Sequence, residues 1–194
     1  MSGAGAWASP RLESRRLALE PTRPEHADEL APVLDDVALH RFIGGRPDSV
    51  VALRARLERQ AAGQSPDGQE CWLNWTVRLR ATGEAVGTMQ STLTDGAPET
   101  VAELAWVIGV AHQGQGLAKE AVALVVAWLR TRGVSRLRAH IHPDHDASMG
   151  VARSAGLVAT EVIKDGEVRW ESPSESGPAP GRRRRARTAR SRAR

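Results

Sequence analysis

The pattern of apolar and polar positions divides the chain into short strands and amphipathic helices that follow one another closely. "RRLALE" (15–20) reads as a first strand. "PTRPEHADELAPVL" continues with helical spacing, with Thr22 as N-cap and Pro24 in the first turn, where a missing N–H costs nothing. Asp48 or Ser49 caps a second helix through "VVALRARLERQAA", which Gly63 stops. "GQSPDGQE" is a polar loop. "CWLNWTVRLRATGEAVGTMQSTL" places strand formers on both sides of Thr82-Gly83 and reads as a hairpin, and "DGAPET" is another turn. "VAELAWVIGV" (101–110) is an apolar strand that Glu103 interrupts.

The second half is equally regular. In "GLAKEAVALVVAWLRTRG", Leu117, Ala121, Leu124 and Trp128 recur at helical spacing, and Gly133 closes the helix. "SRLRAHI" is a strand, "DASMGVARSAG" a short helix ending at Gly156, and "LVATEVIKDGEVRWE" a hairpin turning at Asp165-Gly166. No internal repeat is present. The alternation predicts one mixed α/β domain over 15–171, a flexible leader over 1–14, and a disordered Ser/Pro/Gly-rich and then Arg-rich tail over 172–194.

Composition changes the picture in a few places. The chain has 194 residues, enough to bury a core, and no apolar run near the length of a membrane span. The start has no basic segment followed by an apolar block, so it does not read as a signal peptide. One cysteine, Cys71, excludes an internal disulfide and sets a cytoplasmic location as the expectation. The net charge of +4 arises in the tail: residues 182–194 hold eight arginines and no acid, and without them the chain carries 19 basic against 23 acidic residues. The tail predicts a weak, salt-dependent contact with nucleic acid.

The informative loop is "HQGQGLAKEA". Gln113, Gly114, Gln115, Gly116, Leu117 and Ala118 lie between an apolar strand and the start of the longest helix. Amides at a helix start, with the positive end of the macrodipole, make an anion site, and glycines let the backbone approach a phosphate. No Lys-Ser or Lys-Thr follows, so this is not a Walker loop, and G-x-G-x-x-G is absent. Q-x-x-G-x-A after a strand resembles the acetyl-CoA pyrophosphate loop of the GNAT superfamily of N-acyltransferases. "IHPDHDASMGVARSAGL" resembles that family's later I-x-P-x-N-x-A-S segment, and "TGEAVGTMQ" the hairpin before its cofactor strand. The resemblance covers about residues 15–171, and its nearest flavour is the subgroup containing ribosomal-protein alanine N-acetyltransferases.

That resemblance implies a GNAT-like fold: a central, mostly antiparallel sheet flanked by helices and splayed between the family's fourth and fifth strands (101–110 and 135–141). Acetyl-CoA would place its pantetheine arm along Ile108 and Val110 and its pyrophosphate on residues 113–118. The acceptor would be an amine, on a protein N-terminus or a small molecule, with residues 35–50 forming part of the wall and Trp75 and Trp106 available to line it. The protein would act as a monomer or homodimer, away from membranes. Glu103 is the candidate base, with pairing to a neighbouring arginine as the alternative role. Many relatives use a tyrosine as proton donor, and this chain has none. Ser148 is the natural substitute, with His145 second and a helix-capping role as the alternative for the serine.

Residues 140–145 pose a separate question, because His140, His142, Asp144 and His145 reproduce the H-x-H-x-D-H zinc signature of metallo-β-lactamase-type hydrolases. Such a site needs further histidines downstream, and none follows residue 145. The expectation is therefore no metal cofactor, although His140 and His142 share a strand face. Two other function classes compete with acetyl transfer: a nucleic-acid-binding or ribosome-associated protein acting through the tail, and a non-catalytic acyl-CoA sensor.

Overall fold

The structure is a computed structural model that describes residues 7–95 and 99–173. In chain order its elements are β1 (Leu12–Glu13), β2 (Leu17–Pro21), a 3-10 turn at Pro24–His26 leading into α1 (Ala27–Leu34), α2 (Val37–Ile43), α3 (Val50–Ala61), β3 (Glu70–Leu79), β4 (Ala85–Asp95) and β5 (Thr100–Ile108). A 3-10 turn at Val110–His112 then precedes α4 (Leu117–Thr131), β6 (Arg136–Ile141), α5 (Asp146–Ser154), β7 (Val158–Lys164) and β8 (Glu167–Glu171). The strands form one eight-stranded sheet in the order β1-β2-β3-β4-β5-β6-β8-β7. Every neighbouring pair is antiparallel except β5 with β6.

Strand alternation gives each face of the sheet its own layer. Leu73, Trp75 and Val77 point one way and join a core with Leu17, Leu19, Leu104 and Leu137, onto which α4 lays Leu117, Ala121, Val122, Val125, Val126 and Leu129. Each such aliphatic side chain contributes about 1.5–3 kcal/mol on full burial. Val151 and Ala152 of α5 join the same core. Asn74 and Thr76 point the other way, toward α1 and α3, which pack together through Ala27, Leu30, Leu53 and Leu57. There His26 shares a hydrogen bond between Nδ1 and Thr76 Oγ1 (2.8 Å), and Asn74 Nδ2 donates to the carbonyl of Gln60 (3.4 Å).

Two local expectations shift, and one alternative is decided. Thr22 does not cap α1: it is buried and its amide donates to Asn74 O, because the Pro24 turn moves the helix start forward to Ala27. Of the two candidate caps for α3, Ser49 accepts from Ala52 N (3.2 Å), while Asp48 pairs with Arg56. The segment expected as a flexible leader is ordered from Trp7 onward. Trp7 packs edge-on against Trp128 (5.9 Å), Asn74 N donates to Ser9 Oγ (2.9 Å), and Leu12–Glu13 forms β1. The tail from 174, with its arginines, and residues 96–98 of the "DGAPET" turn lie outside the described residues.

Candidate active site

The glycine loop is held from both ends. At the exit of β5, Gly109 N donates to Val86 O (2.9 Å), and a Cβ on Gly109 would stand 2.6 Å from Val33 Cγ1. Only glycine lets the strand bend this closely past α1. Gln113 Nε2 then donates back to Ile108 O (2.9 Å). Gly116 occupies the left-handed region at φ 75° and starts α4, so the amides of Leu117, Ala118 and Lys119 have no carbonyl partner within the helix. From the far side, Arg16 Nη1 donates to Gln115 O (3.0 Å) and Arg16 Nε to Glu120 Oε2 (2.6 Å). Partial burial pushes the Glu120 carboxyl up, but hydrogen bonds from Ser14 and Arg16 outweigh it and hold it below the usual carboxylate range. Leu117 buries its side chain in the core, so only its backbone amide is available to a ligand. Gly114, Gln115, Gly116 and Val110 are exposed.

Beside this loop the sheet opens. The parallel β5–β6 ladder consists of Val101, Ala102 and Glu103 against Arg136, Leu137 and Arg138, and goes no further. Beyond it β5 stays with β4 as far as Ile108, while β6 follows β8. A cavity of about 550 Å³ lies at the divergence. It is lined by Glu103, Trp106, His140, His142, His145 and Ser148, and by Phe42 and other residues of the 35–50 segment. Trp106 is part-exposed there. Trp75 touches the cavity too, but its side chain is fully buried on the α4 side, edge-on to Trp128 at 6.1 Å, with Nε1 donating to Pro10 O (2.7 Å).

The titratable groups of the cavity are arranged in pairs. Glu103 Oε1 lies 3.0 Å from His140 Nδ1, with 44% of the glutamate side chain exposed against 12% of the histidine. His145, at the start of α5, stacks on Phe42 with centroids 4.1 Å apart, and His142 meets the same ring edge-on at 5.6 Å. Burial, with His142 nearby, pushes the His145 imidazole below its ordinary value, and Asp146 only partly opposes this. Ser148, in the first turn of α5, faces the cavity, and among the described residues its hydroxyl has no hydrogen-bond partner. His142 Nδ1 accepts from Asp144 N (3.2 Å). Among the described residues no group of three or more His, Cys, Asp or Glu side chains is arranged to hold a metal ion. Nor is any helix there long and apolar enough to cross a membrane.

A sheet that opens beside a glycine-capped helix start is the geometry that the family resemblance of the 113–118 loop implied. The family model described as Acetyltransferase (GNAT) domain matches residues 16–158. The chain belongs to the GNAT acetyltransferase family. This GNAT protein is 23% identical over 157 residues to an uncharacterized N-acetyltransferase p20 of Bacillus licheniformis, covering 80% of this chain and 86% of that one. Among solved structures it matches the microcin C7 self-immunity acetyltransferase MccE in complex with acetyl-CoA and AMP, with TM-score 0.68, 14% identity, and 82% of this chain and 93% of that chain covered. It also matches RimL, a ribosomal L7/L12 alpha-N-protein acetyltransferase, with TM-score 0.66, 17% identity, and 82% and 93% covered. The mostly antiparallel sheet flanked by helices is the GNAT architecture, and the activity of the family is acetyl-CoA-dependent acetylation.

One partnership in this GNAT site was not legible in the sequence. His140 was visible only through the spacing that puts it on one face with His142, because its contact with Glu103 depends on β6 lying parallel to β5. Phe42 belongs to the 35–50 segment expected to wall the acceptor, and α2 brings it to the cavity. The alternative in which Glu103 pairs with an arginine is not what the structure contains: Arg138, its neighbour in register, is engaged by Glu171.

Proposed function

We propose that this protein is an N-acetyltransferase that moves the acetyl group of acetyl-CoA to a primary amine, on a protein N-terminus or a small molecule, by direct attack in a ternary complex. The observation that carries the reading is the placement of the Glu103–His140 pair and Ser148 in one cavity at the β5–β6 divergence, beside the 113–118 loop. The residues fit the co-substrate. The first-turn amides of α4 suit a diphosphate, and the β5 edge around Ile108 and Val110 suits an amide-bearing arm laid alongside it.

The chemistry needs a proton removed from the ammonium, polar support for charge developing on the thioester oxygen, and a proton for the departing sulfur. Glu103, half-exposed and backed by His140, takes the amine proton. The amine nitrogen then attacks the carbonyl carbon; as the C–S bond breaks, the Ser148 hydroxyl donates its proton to the departing sulfur and takes up the second proton shed by the nitrogen, ending neutral. Holding both reactants in the cavity supplies much of the rate. The test is thiol release from acetyl-CoA against an alanyl tripeptide, spermidine and kanamycin, with mass spectrometry of the products. A +42 Da product on at least one amine is expected. Tight acetyl-CoA binding without any acetylated amine would favour the non-catalytic sensor instead.

A further inference from the structure

The arrangement of charges around β6 goes further than the pair in the cavity. Arg138 stands between two carboxylates on neighbouring strands: Glu103 is its register partner on β5 and Glu171 its register partner on β8. Such partners lie about 5 Å apart across a sheet, so a guanidinium at 138 can serve either. It serves Glu171, with Nε and Nη2 both 2.9 Å from Oε1. Arg169, the register partner of His140, also stands beside Glu171, with Nε 3.2 Å from Oε1, an ion-pair distance without a hydrogen bond from that nitrogen. Glu171 thus holds the Arg138 guanidinium away, and the carboxylate facing the cavity is left to an imidazole.

The difference matters chemically. A guanidinium does not give up its proton, and beside a carboxylate it makes that carboxylate a weaker base. An imidazole, unlike a guanidinium, is not obligatorily charged, so Glu103 held 3.0 Å from His140 Nδ1 keeps the character of a proton acceptor. These groups are only 21–28% exposed, so water screens them less than it would a surface pair. His142 and Glu167 also line the cavity and are not paired with Glu103 in the structure.

We propose that Glu171 is a positioning residue for the acetyl-transfer base: by binding Arg138 it keeps Glu103 free of guanidinium and paired with His140. This rests on the N-acetyltransferase reading above. The test compares wild type, Glu171→Ala, Arg138→Met and the Glu171→Ala/Arg138→Met double variant by crystallography and by turnover of whichever amine in the panel is acetylated fastest. In Glu171→Ala the Arg138 guanidinium should move to within 4 Å of Glu103, and kcat should fall about tenfold, less than the roughly 10²–10⁴-fold that complete loss of a general base costs. Arg138→Met should stay near wild type, and the double variant should recover the lost rate with an unchanged acetyl-CoA affinity. A Glu171→Ala structure in which Arg138 stays away from Glu103 overturns the proposal, as does a double variant as slow as the single one. If no amine is acetylated by wild type, the functional reading fails, and the crystal structures still decide whether Glu171 diverts the arginine.

Discussion

The glycine at the start of α4 offers the sharpest test of where the diphosphate sits. Gly116 is at φ 75°, and a Cβ there would meet nothing nearer than Arg16 Nη2 at 3.8 Å. A substitution therefore meets backbone strain but no clash. Gly116→Ala should cost about 1–2 kcal/mol for the left-handed backbone, or a few degrees of Tm in a domain of this size. Gly116→Glu carries the same strain and adds one negative charge. At about 6 Å from a phosphate and an effective dielectric near 20, that charge is worth roughly 3 kcal/mol. Exposure of the loop and salt reduce this to about 1–2 kcal/mol, or roughly 5- to 30-fold in affinity. Arg16 is already committed to Glu120 and Gln115 and offers the new carboxylate little relief. Titration calorimetry with acetyl-CoA should show Gly116→Glu weaker than Gly116→Ala by that factor, while S-acetyl-pantetheine, which lacks the diphosphate, should not distinguish them. Equal acetyl-CoA affinity in two folded variants would refute the placement.

Three further outcomes are expected. Ser148→Ala should lower kcat by about 10- to 100-fold with little change in acetyl-CoA affinity; wild-type kcat there, together with loss of activity in His145→Ala, would move the proton donor to His145. His26 is buried, and burial first, then Arg78 and Arg23, push its imidazole below its ordinary value. The unfolded chain then binds a proton that the folded one refuses, so stability should fall as pH drops below about 6.5, and His26→Gln should flatten that part of a chemical-denaturation profile. Ser91 is fully buried and its Oγ has no partner among the described residues, so Ser91→Ala should leave Tm unchanged or raise it, whereas a clear loss would show that the hydroxyl is satisfied.

The sequence carried most of the architecture because periodicity is a local signal. The α4 stripe from Leu117 to Trp128, the hairpin at Thr82-Gly83 and the turn at Asp165-Gly166 all formed where spacing and turn chemistry placed them. What it did not carry is relational. The leader looked polar and uncommitted, yet Trp7 finds Trp128, a partner more than a hundred residues away. Glu103 stood out as a charge in an apolar strand, but its partner is set by the β5–β6 register and by competition for Arg138, neither of which one strand's pattern encodes. Thr22 had the chemistry of a cap and lost the role to the proline two positions on.

The brevity of the β5–β6 ladder has a mechanical consequence. With three residue pairs at that seam, the eight strands behave as a five-stranded plate and a three-stranded plate sharing a short hinge. What resists rotation about the hinge is the helical layer across it, where α4, packed on β1, β2 and β5, also contacts α5, which follows β6. Substitutions on α4 that loosen its contact with α5 would change how wide the seam stands open, and carry Ser148 with it, without replacing a single side chain of the cavity.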